Sequence, residues 1–402
     1  MNRVSAVDRP VPLLSTTLDL RALEIARAAC TNPESPAGNG LVRAWERRFS
    51  AWLGRGHARG LGSGRAALRA VAYALDLRPG DEVIVPAFTC QSVINAFRYA
   101  GAEPRHADIE ISGFGLNVDA VRAAITRSTR AIMVQHTFGL LGRDHEAVLA
   151  LAADKDLLVI EDCAHALGAT WRGEKVGTFG DAAIFSFERG KMLNTVHGGM
   201  AVVQGESARE RLETWMQRSR RPAPEQVRSQ MASVQHDYWM NVAGDPQMAA
   251  SALQETGAEA MPRMWPEEFS GASCPQYEER MVDAVAALAD SQFDRLDEVL
   301  RRRRAQAVVW QDWADRAGLP TAREFAGAGA AWLRFPVWVD PQVKEDTSAL
   351  QAALGVDIGI WFTSPSHPVP SVQPQCPRGM EACRRVVNLP TLLPEGHPFA
   401  PR

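Results

Sequence analysis

Between about residues 40 and 205, stretches with a helical spacing of apolar residues alternate with short apolar runs. The helical stretches place apolar side chains three or four positions apart, which is typical of a helix with one buried face. The runs are only a few residues long and are bounded by turn-forming residues, which is typical of buried strands. This alternation, with its short connections, predicts a mostly parallel sheet covered by helices on both faces.

The individual elements follow from the same pattern. Strands are predicted at residues 83–85, near His106, and at 131–135, 157–160, 182–187 and 200–203, with a hairpin at 171–177. Helices are predicted at residues 41–53, from the glycine-rich turn at 60–64 to about 77, and at 92–100, 118–125 and 146–153. Ligands bind at the carboxyl ends of strands in such sheets, and His136 and Asp162 both come just after or at a predicted strand end.

Beyond residue 205 the pattern changes. Residues 220–275 are rich in Met, Pro, Gln and Glu and predict an irregular region, whereas apolar positions from 281 to 300 predict one long helix. Strands near 332–339 and 358–362 predict a smaller C-terminal α/β portion. We therefore expect a large domain with its N-terminal segment over residues 1–275, and a connecting helix with a small domain over 276–402.

Composition narrows the class of protein. The chain has 402 residues, of which 46% are hydrophobic, so it can bury a sizeable core. Its net charge is -3, from 44 basic and 47 acidic residues, which gives no long-range field that favours nucleic acid or an anionic membrane. The basic run 301–304 follows acidic residues on the same predicted helix, and we expect it to form a solvated, locally neutralised face.

Cysteine usage and the N-terminal residues indicate where the protein works. The six cysteines form no C-x-x-C pair and show no zinc-like spacing, so we expect no metal site. Residues 1–10 lack the apolar core of a signal peptide, and no apolar run approaches the length of a membrane span. We therefore expect a reduced, cytoplasmic protein without nucleic-acid or membrane partners.

Lysine is rare in this chain, and one lysine stands out. Only Lys155, Lys175, Lys191 and Lys344 occur, and Lys191 follows a glycine in a turn after an apolar strand. Asp162 lies upstream at an acidic strand end. An amine for a Schiff base and a carboxylate for a pyridine nitrogen are what an enzyme dependent on pyridoxal phosphate (PLP) requires. Arginine could not replace this lysine, because a guanidinium does not deprotonate at working pH.

The glycine-rich turn at residues 62–64 is a candidate anion site. It opens a helix, and free N–H groups at a helix N-terminus attract phosphate. Arg65 strengthens this hypothesis, since a guanidinium can bind phosphate oxygens in pairs. Two alternatives stay open at this point: a tight turn with a surface arginine, and an Asp162 that merely caps a helix.

The order of motifs resembles that of the DegT/StrS-type aminotransferases, a fold-type I PLP family best known for making amino sugars. The resemblance covers residues 45–203, fades from 205 to 275, and returns at Arg280-Met281. It implies a seven-stranded, mostly parallel sheet in the large domain, a smaller C-terminal domain and a homodimer. The motifs that carry it are Glu161-Asp162-Cys163-Ala164-His165, Gly168-Ala169, the 173–177 hairpin, Phe179-Gly180-Asp181, Phe185-Ser186-Phe187 and Gly190-Lys191.

The resemblance also implies roles for single residues. Lys191 would be the Schiff-base lysine and Asp162 the partner of the pyridine nitrogen. His165 stands close to the cofactor's 3-oxygen, where the family usually has Gln. Ser186 would bind the phosphate together with the turn residues Ser63, Gly64 and Arg65. His136 matches a family position on the substrate side, although a purely structural histidine is an equally good interpretation.

Several positions depart from the family pattern. Arg65 replaces a Thr, and Cys90 falls where an aromatic ring usually stacks on the cofactor. Glu278 or Glu279 stands where the family has an Asn that reaches the partner subunit's phosphate. A carboxylate would repel a phosphate, so we expect Arg65 to supply the lost contact. The final helix that usually follows the Leu389-Pro390 element is absent from the pattern.

The resulting hypothesis is a PLP-dependent aminotransferase. It would move an amino group from a donor, Glu or Gln by family habit, to a keto sugar, cyclitol or other small carbonyl compound. A PLP-dependent lyase or dehydratase on the same fold is the enzymatic alternative, and a non-catalytic PLP-binding regulatory protein is the other. A nucleotide-binding module is disfavoured, because neither a Walker lysine nor a G-x-G-x-x-G pattern follows the turn.

Overall fold

The fold is taken from a computed structural model that describes residues 9–33 and 40–401. Within these ranges there are fourteen strands, fifteen α-helices and two short 3₁₀ turns. Residues 1–8, which make up most of the segment examined above for a signal peptide, lie outside the described ranges. No helix in the described part of the chain is both long enough and apolar enough to cross a membrane.

The strands are short and most of them lie before residue 205. In chain order they are β1 (His57–Leu61), β2 (Glu82–Pro86), β3 (Thr89–Cys90), β4 (Glu103–Ala107), β5 (Thr129–Gln135), β6 (Leu158–Asp162), β7 (Thr170–Trp171), β8 (Glu174–Lys175), β9 (Ala182–Ser186), β10 (Gly199–Val203), β11 (Ala328–Gly329), β12 (Arg334–Trp338), β13 (Ser366–His367) and β14 (Val386–Pro390).

The helices alternate with the strands in the first half and dominate the second. They are α1 (Leu20–Thr31), α2 (Gly40–Leu53), α3 (Gly64–Ala74), α4 (Gln91–Tyr99), α5 (Val118–Ala124), α6 (His145–Asp154), α7 (Glu206–Arg218), α8 (Pro224–Asn241), α9 (Pro246–Thr256), α10 (Pro266–Ser270), α11 (Asp283–Phe293), α12 (Leu296–Ala317), α13 (Pro341–Glu345), α14 (Ser348–Leu354) and α15 (Pro377–Arg385).

A seven-stranded sheet forms the centre of the fold, in the order β1-β10-β9-β6-β5-β2-β4. β9, β6, β5, β2 and β4 pair in parallel, and β10 runs antiparallel to both of its neighbours. The expected mostly parallel, seven-stranded α/β sheet is therefore confirmed. β1 was not predicted, because its sequence joins directly to the glycine-rich turn.

Successive residues of one strand show why the sheet is buried on both faces. In β2, Val83 and Val85 belong to the same apolar core as Leu68 of α3, while Ile84 between them belongs to the core of the other face with Val148 of α6. Side chains alternate across a strand, so helices on both faces require an unbroken apolar run. This packing fixes the carboxyl ends of the strands as one rigid edge.

Three predicted elements are wrong. The long helix ends at Phe293 and restarts at Leu296 as α12. The turn between them is held by tertiary contacts: Arg48 Nη2 donates to Asp294 Oδ1 at 2.7 Å, and Arg295 Nη2 donates to the Thr17 carbonyl at 2.8 Å. The region 220–275 is not irregular, since α8, α9 and α10 lie within it. Residues 358–362 form no strand, only an isolated bridge between Gly359 and Asn388.

The C-terminal portion is built on an antiparallel pair, β12 and β14, with its own apolar core. The basic run of α12 contacts this portion. Arg301, Arg302 and Arg304 are exposed, as expected for a solvated face, but Arg303 is buried. Arg303 is 1% exposed, and its Nη1 donates to the Leu333 carbonyl at 3.0 Å and to Thr391 Oγ1 at 2.6 Å. Arg304 Nε donates to the Ala330 carbonyl at 2.9 Å. No helix follows Pro390 in the described residues.

Candidate active site

A cavity of about 560 Å³ opens at the carboxyl edge of the parallel strands. All the site residues predicted from the sequence line it, although they come from distant parts of the chain. Later elements complete its wall, including Glu188, Arg263, Met264, Phe269, Trp361 and Phe362, none of which was predicted. The predicted residues are Ser63, Gly64, Arg65, Cys90, His136, Asp162, His165, Ser186 and Lys191.

The N-terminus of α3 forms one end of the cavity. Ser63 caps the helix, because its Oγ accepts the amide of Ala66 at 3.1 Å and its carbonyl accepts that of Ala67 at 2.9 Å. The amides of Gly64 and Arg65 have no acceptor within the helix and remain available to an anion. A Cβ on Gly64 would lie 2.9 Å from Ser186 Oγ, so glycine is needed for the close approach of the helix to this hydroxyl.

Asp162 is the last residue of β6 and is 5% exposed. Its Oδ1 accepts the amide of Ala164 at 3.0 Å. Burial raises the pKa of Asp162, although this hydrogen bond and nearby Lys191 oppose the rise. A carboxylate that burial disfavours in this way is a fitting partner for a buried cation.

The loop that carries Lys191 is held by two helices that lie later in the chain. Gln292 of α11 accepts the amide of Asn194 at 2.9 Å and donates to its carbonyl at 2.8 Å. Gln230 of α8 donates to the carbonyl of Thr195 at 2.7 Å, and Arg189 Nε donates to Asp237 of α8 at 2.8 Å. The lysine is thus presented by a rigid turn.

The amine of Lys191 lies in an apolar and charged setting. Its Nζ is 4.8 Å from the centre of the Trp361 ring. Burial lowers the pKa of Lys191, and the carboxylates of Glu188 and Asp162 counteract this only in part. A lowered pKa increases the fraction of neutral amine, which is the nucleophilic and basic form.

His165 is buried, and its ring stacks against those of Trp361 and Phe362. Its ring stacks on that of Trp361, with centroids 5.1 Å apart and an angle of 11°. Its Nδ1 accepts the amide of Phe138 at 3.1 Å, and burial lowers the pKa of His165 well below its usual value. The ring is therefore neutral with its proton on Nε2, and it offers a hydrogen-bond donor.

The position of Cys90 leaves the cavity without an aromatic side chain from that strand. Cys90 is half-buried and its Sγ accepts from Ser92 Oγ at 3.1 Å. Trp361 and Phe362 supply aromatic rings from the C-terminal portion instead. Lys344 fixes them, because its Nζ donates to the Phe362 carbonyl at 2.8 Å. No local sequence signal could have revealed rings that arrive from so far along the chain.

The expectation for Arg65 requires a correction. Its guanidinium forms a buried ion pair with Glu268, and its Nη2 donates to the carbonyl of Arg263 at 2.7 Å. Its charge is therefore already compensated by the 220–275 region. What Arg65 still offers to a phosphate is the amide at the start of α3.

His136 has contacts that favour the structural interpretation. The side chain is 0% exposed, and Nε2 lies 3.1 Å from Glu161 Oε2. Glu161 also accepts the amides of Gly177, Phe179 and Gly180, so the pair ties β5 and β6 to the loop before β9. His136, Glu161 and Cys163 lie close enough to suggest a metal site. The backbone amides already occupy the carboxylate, so we propose no ion there.

Glu188 is an acidic side chain in the cavity that the sequence did not single out. Its Oε2 accepts the amide of Gly190 at 3.1 Å. Burial pushes its pKa upward, but the charges of Lys191 and Arg263 outweigh this and lower it. Glu279, by contrast, lies behind the glycine-rich turn, where its carbonyl accepts the amide of Gly62 at 2.8 Å.

These residues fit PLP. The helix N-terminus with Ser186 suits a phosphate, and the close approach at Gly64 leaves that end of the cavity free of side-chain atoms. The buried carboxylate of Asp162 suits a protonated ring nitrogen, and the amine of Lys191 with its lowered pKa suits an aldehyde.

Comparisons with known proteins agree with this geometry. Residues 36–394 match the DegT/DnrJ/EryC1/StrS aminotransferase family. GDP-perosamine synthase of Escherichia coli O157:H7 is 29% identical over 277 residues, which is 69% of this chain and 64% of that protein. The 3-amino-5-hydroxybenzoate synthase of Amycolatopsis mediterranei is 38% identical over 177 residues, which is 44% of this chain and 45% of that protein. Both matches thus span less than two thirds of the relative's length.

The fold also matches solved structures. The PMP form of Spr1654 from Streptococcus pneumoniae superposes with a TM-score of 0.71 at 19% identity, over 94% of each chain. At this identity the likeness concerns the fold. It agrees with the seven-stranded sheet and the later α/β portion described above.

Proposed function

Because the chain belongs to the DegT/DnrJ/EryC1/StrS aminotransferase family, we propose that it is a PLP-dependent aminotransferase. One observation carries the proposal. Asp162 at a strand end, Ser186 beside a helix N-terminus and Lys191 on a fixed turn line the same cavity. A carboxylate for the ring nitrogen, a hydroxyl for the phosphate and an amine for the aldehyde are thus brought into one cavity.

Each of these residues would hold a different part of the cofactor. The amides of Gly64 and Arg65 with the Ser63 and Ser186 hydroxyls would bind the phosphate. Asp162 would keep the ring nitrogen protonated, and His165 Nε2 would donate toward the ring oxygen. When bound, PLP supplies an aldehyde for amines and a ring that withdraws electrons from the substrate's Cα.

The protein's own side chains would transfer the proton, balance the charge of the ring and limit the access of water. With its lowered pKa, Lys191 Nζ would be the base that removes the proton from the substrate's Cα and, once protonated, the acid that gives the proton back. The carboxylate of Asp162 would pair with the ring nitrogen and favour its protonated form. Trp361 lies over the Lys191 amine, and Phe362 adds a second apolar ring to the same cavity, which lowers the access of water to the amine.

The substrates that are usual in the family, and the names of the two relatives, suggest the substrates of this protein. The donor would be Glu or Gln, and the acceptor a keto sugar, a cyclitol or another small carbonyl compound in a biosynthetic pathway. The names of the two relatives describe different products: GDP-perosamine synthase makes a nucleotide-linked sugar, and 3-amino-5-hydroxybenzoate synthase makes an aromatic carboxylic acid. The proposal therefore includes both nucleotide-linked and free acceptors.

Covalent labelling tests the proposed function. Protein reconstituted with PLP and reduced with borohydride should carry the pyridoxyl group on Lys191, as read by peptide mapping. Lys344 is the best internal control, because it is also buried and burial lowers its pKa to about 8. A label on Lys344, Lys155 or Lys175 in place of Lys191 would overturn the proposal.

We also expect a homodimer in the cytoplasm. Fold-type I sites are generally completed by a second subunit, and all six cysteines are free, as suits a reducing compartment. Light scattering of the holoenzyme should give twice the 43.9 kDa chain mass. A fully active monomer would contradict this expectation.

A further inference from the structure

One wall of the cavity comes from a segment that the sequence pattern did not explain. Residues 261–271, here called the wall segment, include α10 and contribute Arg263, Met264 and Phe269 to the cavity lining. Phe269 is 52% exposed and belongs to no core cluster. The wall segment faces the same space as Lys191, so it is placed to contact whatever reacts there.

The wall segment is fixed by a buried acid. Glu268 is 0% exposed, accepts the amide of Trp265 at 2.7 Å and the hydroxyl of Tyr277 at 2.8 Å, and pairs with Arg65. Asn95 Nδ2 donates to its carbonyl at 2.9 Å. A buried charge with this many partners locks the position of the backbone around it.

Arg263, near the start of the wall segment, is held in place by hydrogen bonds to its backbone and not to its side chain. The Arg263 carbonyl accepts from Arg65 Nη2 at 2.7 Å, and the preceding Pro262 carbonyl lies 2.8 Å from His197 Nε2. The Arg263 side chain, in contrast, is exposed and makes no hydrogen bond or ion pair with the described residues. Its backbone is therefore held in place while its guanidinium is left free over the cavity.

The other basic side chains that line the cavity are paired, neutral or already assigned a role, and Arg263 is not. Arg65 is paired with Glu268, and Lys191 is the amine of the proposed function. His165 and His197 are neutral, since burial lowers the pKa of His197 to about 4 and that of His165 well below its usual value.

One neighbour of this cation, His367, belongs to the C-terminal portion and also lines the cavity. Burial, with smaller contributions from the charges of Lys344 and then Arg263, lowers the pKa of His367 in the C-terminal portion to about 4, so the Arg263 guanidinium lies near this ring. The phosphate end of the cavity, at Ser63 and Ser186, is formed by other elements. Glu188 is the nearby carboxylate, and the charges of Lys191 and Arg263 both lower its pKa, but it forms no ion pair with Arg263 among the described residues.

We propose that Arg263 binds an oxyanion of the substrate, with Met264 and Phe269 packing against the adjoining apolar part. The proposal rests on the proposed function, because it assigns the substrate to this cavity. The oxyanion is a carboxylate on a compact acceptor or donor, or the diphosphate of a nucleotide-linked sugar. A guanidinium recognises both by the same paired hydrogen bonds.

Binding of unreactive probes to the holoenzyme tests the assignment. Glutarate is compared with glutaramide and UDP with uridine, so each pair differs in the anionic group. Arg263→Met should weaken binding of glutarate or UDP roughly ten- to a hundredfold, as for a lost charged hydrogen bond. Glutaramide, uridine and PLP should bind as before. Which anion loses affinity identifies the source of the oxyanion.

Two further variants complete the experiment. Arg263→Lys keeps a charge without the planar fork and should recover part of the affinity. Arg127→Met removes an exposed arginine outside the cavity and should change nothing.

Several results would overturn the proposal. They are a wild type that prefers neither anion over its neutral counterpart, unchanged anion binding in Arg263→Met, an equal loss for the neutral probes, or a parallel loss of PLP. Borohydride labelling of Lys191 is repeated on the same variants. A label that persists while anion binding is unaffected would reject this proposal and leave the proposed function standing.

Discussion

Lys191→Arg should reduce turnover by about 10⁴-fold or more, the largest loss we expect from any single substitution. Arginine keeps a positive charge and a long side chain beside Trp361, so the wall of the cavity should survive. It cannot lose its proton at working pH, and it therefore can neither attach to an aldehyde nor move a proton from a substrate carbon. The readout is single-turnover conversion of an amino donor by PLP-loaded protein.

Lys155→Arg is the matched control for this prediction. Lys155 is exposed and pairs with the neighbouring Asp154 at 2.9 Å, so the same substitution there should leave turnover unchanged. Circular dichroism before and after PLP addition checks that both variants fold. If Lys191→Arg kept turnover within about tenfold of the parent, neither covalent attachment nor proton transfer could depend on that amine.

Asp162→Asn should lower turnover by roughly 10²–10³-fold while PLP still binds. The amide has the same shape and can still accept the Ala164 amide, but it cannot hold a pyridine nitrogen protonated. A neutral ring withdraws electrons less well, so the loss should appear in the rate of the chemical step. The measurement is the single-turnover rate at saturating donor, together with the PLP dissociation constant.

Stability without cofactor separates this effect from unfolding. Burial raises the pKa of Asp162, which means that the folded protein disfavours its charge, and a neutral amide relieves that cost. The cofactor-free variant should therefore melt at the same temperature as the parent or higher. Normal turnover in Asp162→Asn would show that another group protonates the ring.

Asp108→Asn is expected to show the opposite behaviour. Asp108 is also buried, but its two oxygens accept the amides of Arg378 and Gly379 at the start of α15, outside the cavity. Losing one acceptor should lower the melting temperature, since a helix cap contributes about 1 kcal/mol. Turnover of the folded fraction should be unaffected, so the pair of variants separates chemistry from stability.

The sequence predicted the sheet and the centre of the candidate site because both depend on local patterns. An apolar run such as 83–85 must be buried on two faces wherever it lies, which implies parallel strands between helices. The pieces that carry Asp162 and Lys191 are short motifs in a fixed order, and each brings its own turn or cap. A lysine kept where arginine is otherwise used also indicates, without any structure, that a neutral amine is needed.

The errors lie where a distant partner decides the outcome. The run 301–304 has the charge pattern of a solvated face, yet Arg303 finds the Leu333 carbonyl and Thr391 and is buried. The apolar spacing from 281 to 300 continues through Asp294, yet contacts from α2 and the N-terminal segment stabilise a turn there. Periodicity records which side chains are apolar, and it holds no information about a partner that lies between 30 and 278 residues away in the sequence.

What the sequence by itself determined is the α/β alternation, together with the candidate roles of Lys191, Asp162 and the glycine-rich turn, because these follow from local spacing and from what each side chain can do. Only the tertiary structure decided how the cavity is closed. It placed the Trp361 ring over the Lys191 amine and paired the Arg65 guanidinium with Glu268. It also left the Arg263 guanidinium without an ion pair among the described residues. The physical reason is that a long-range contact depends on packing between whole elements, whereas a motif depends only on its own backbone and neighbours.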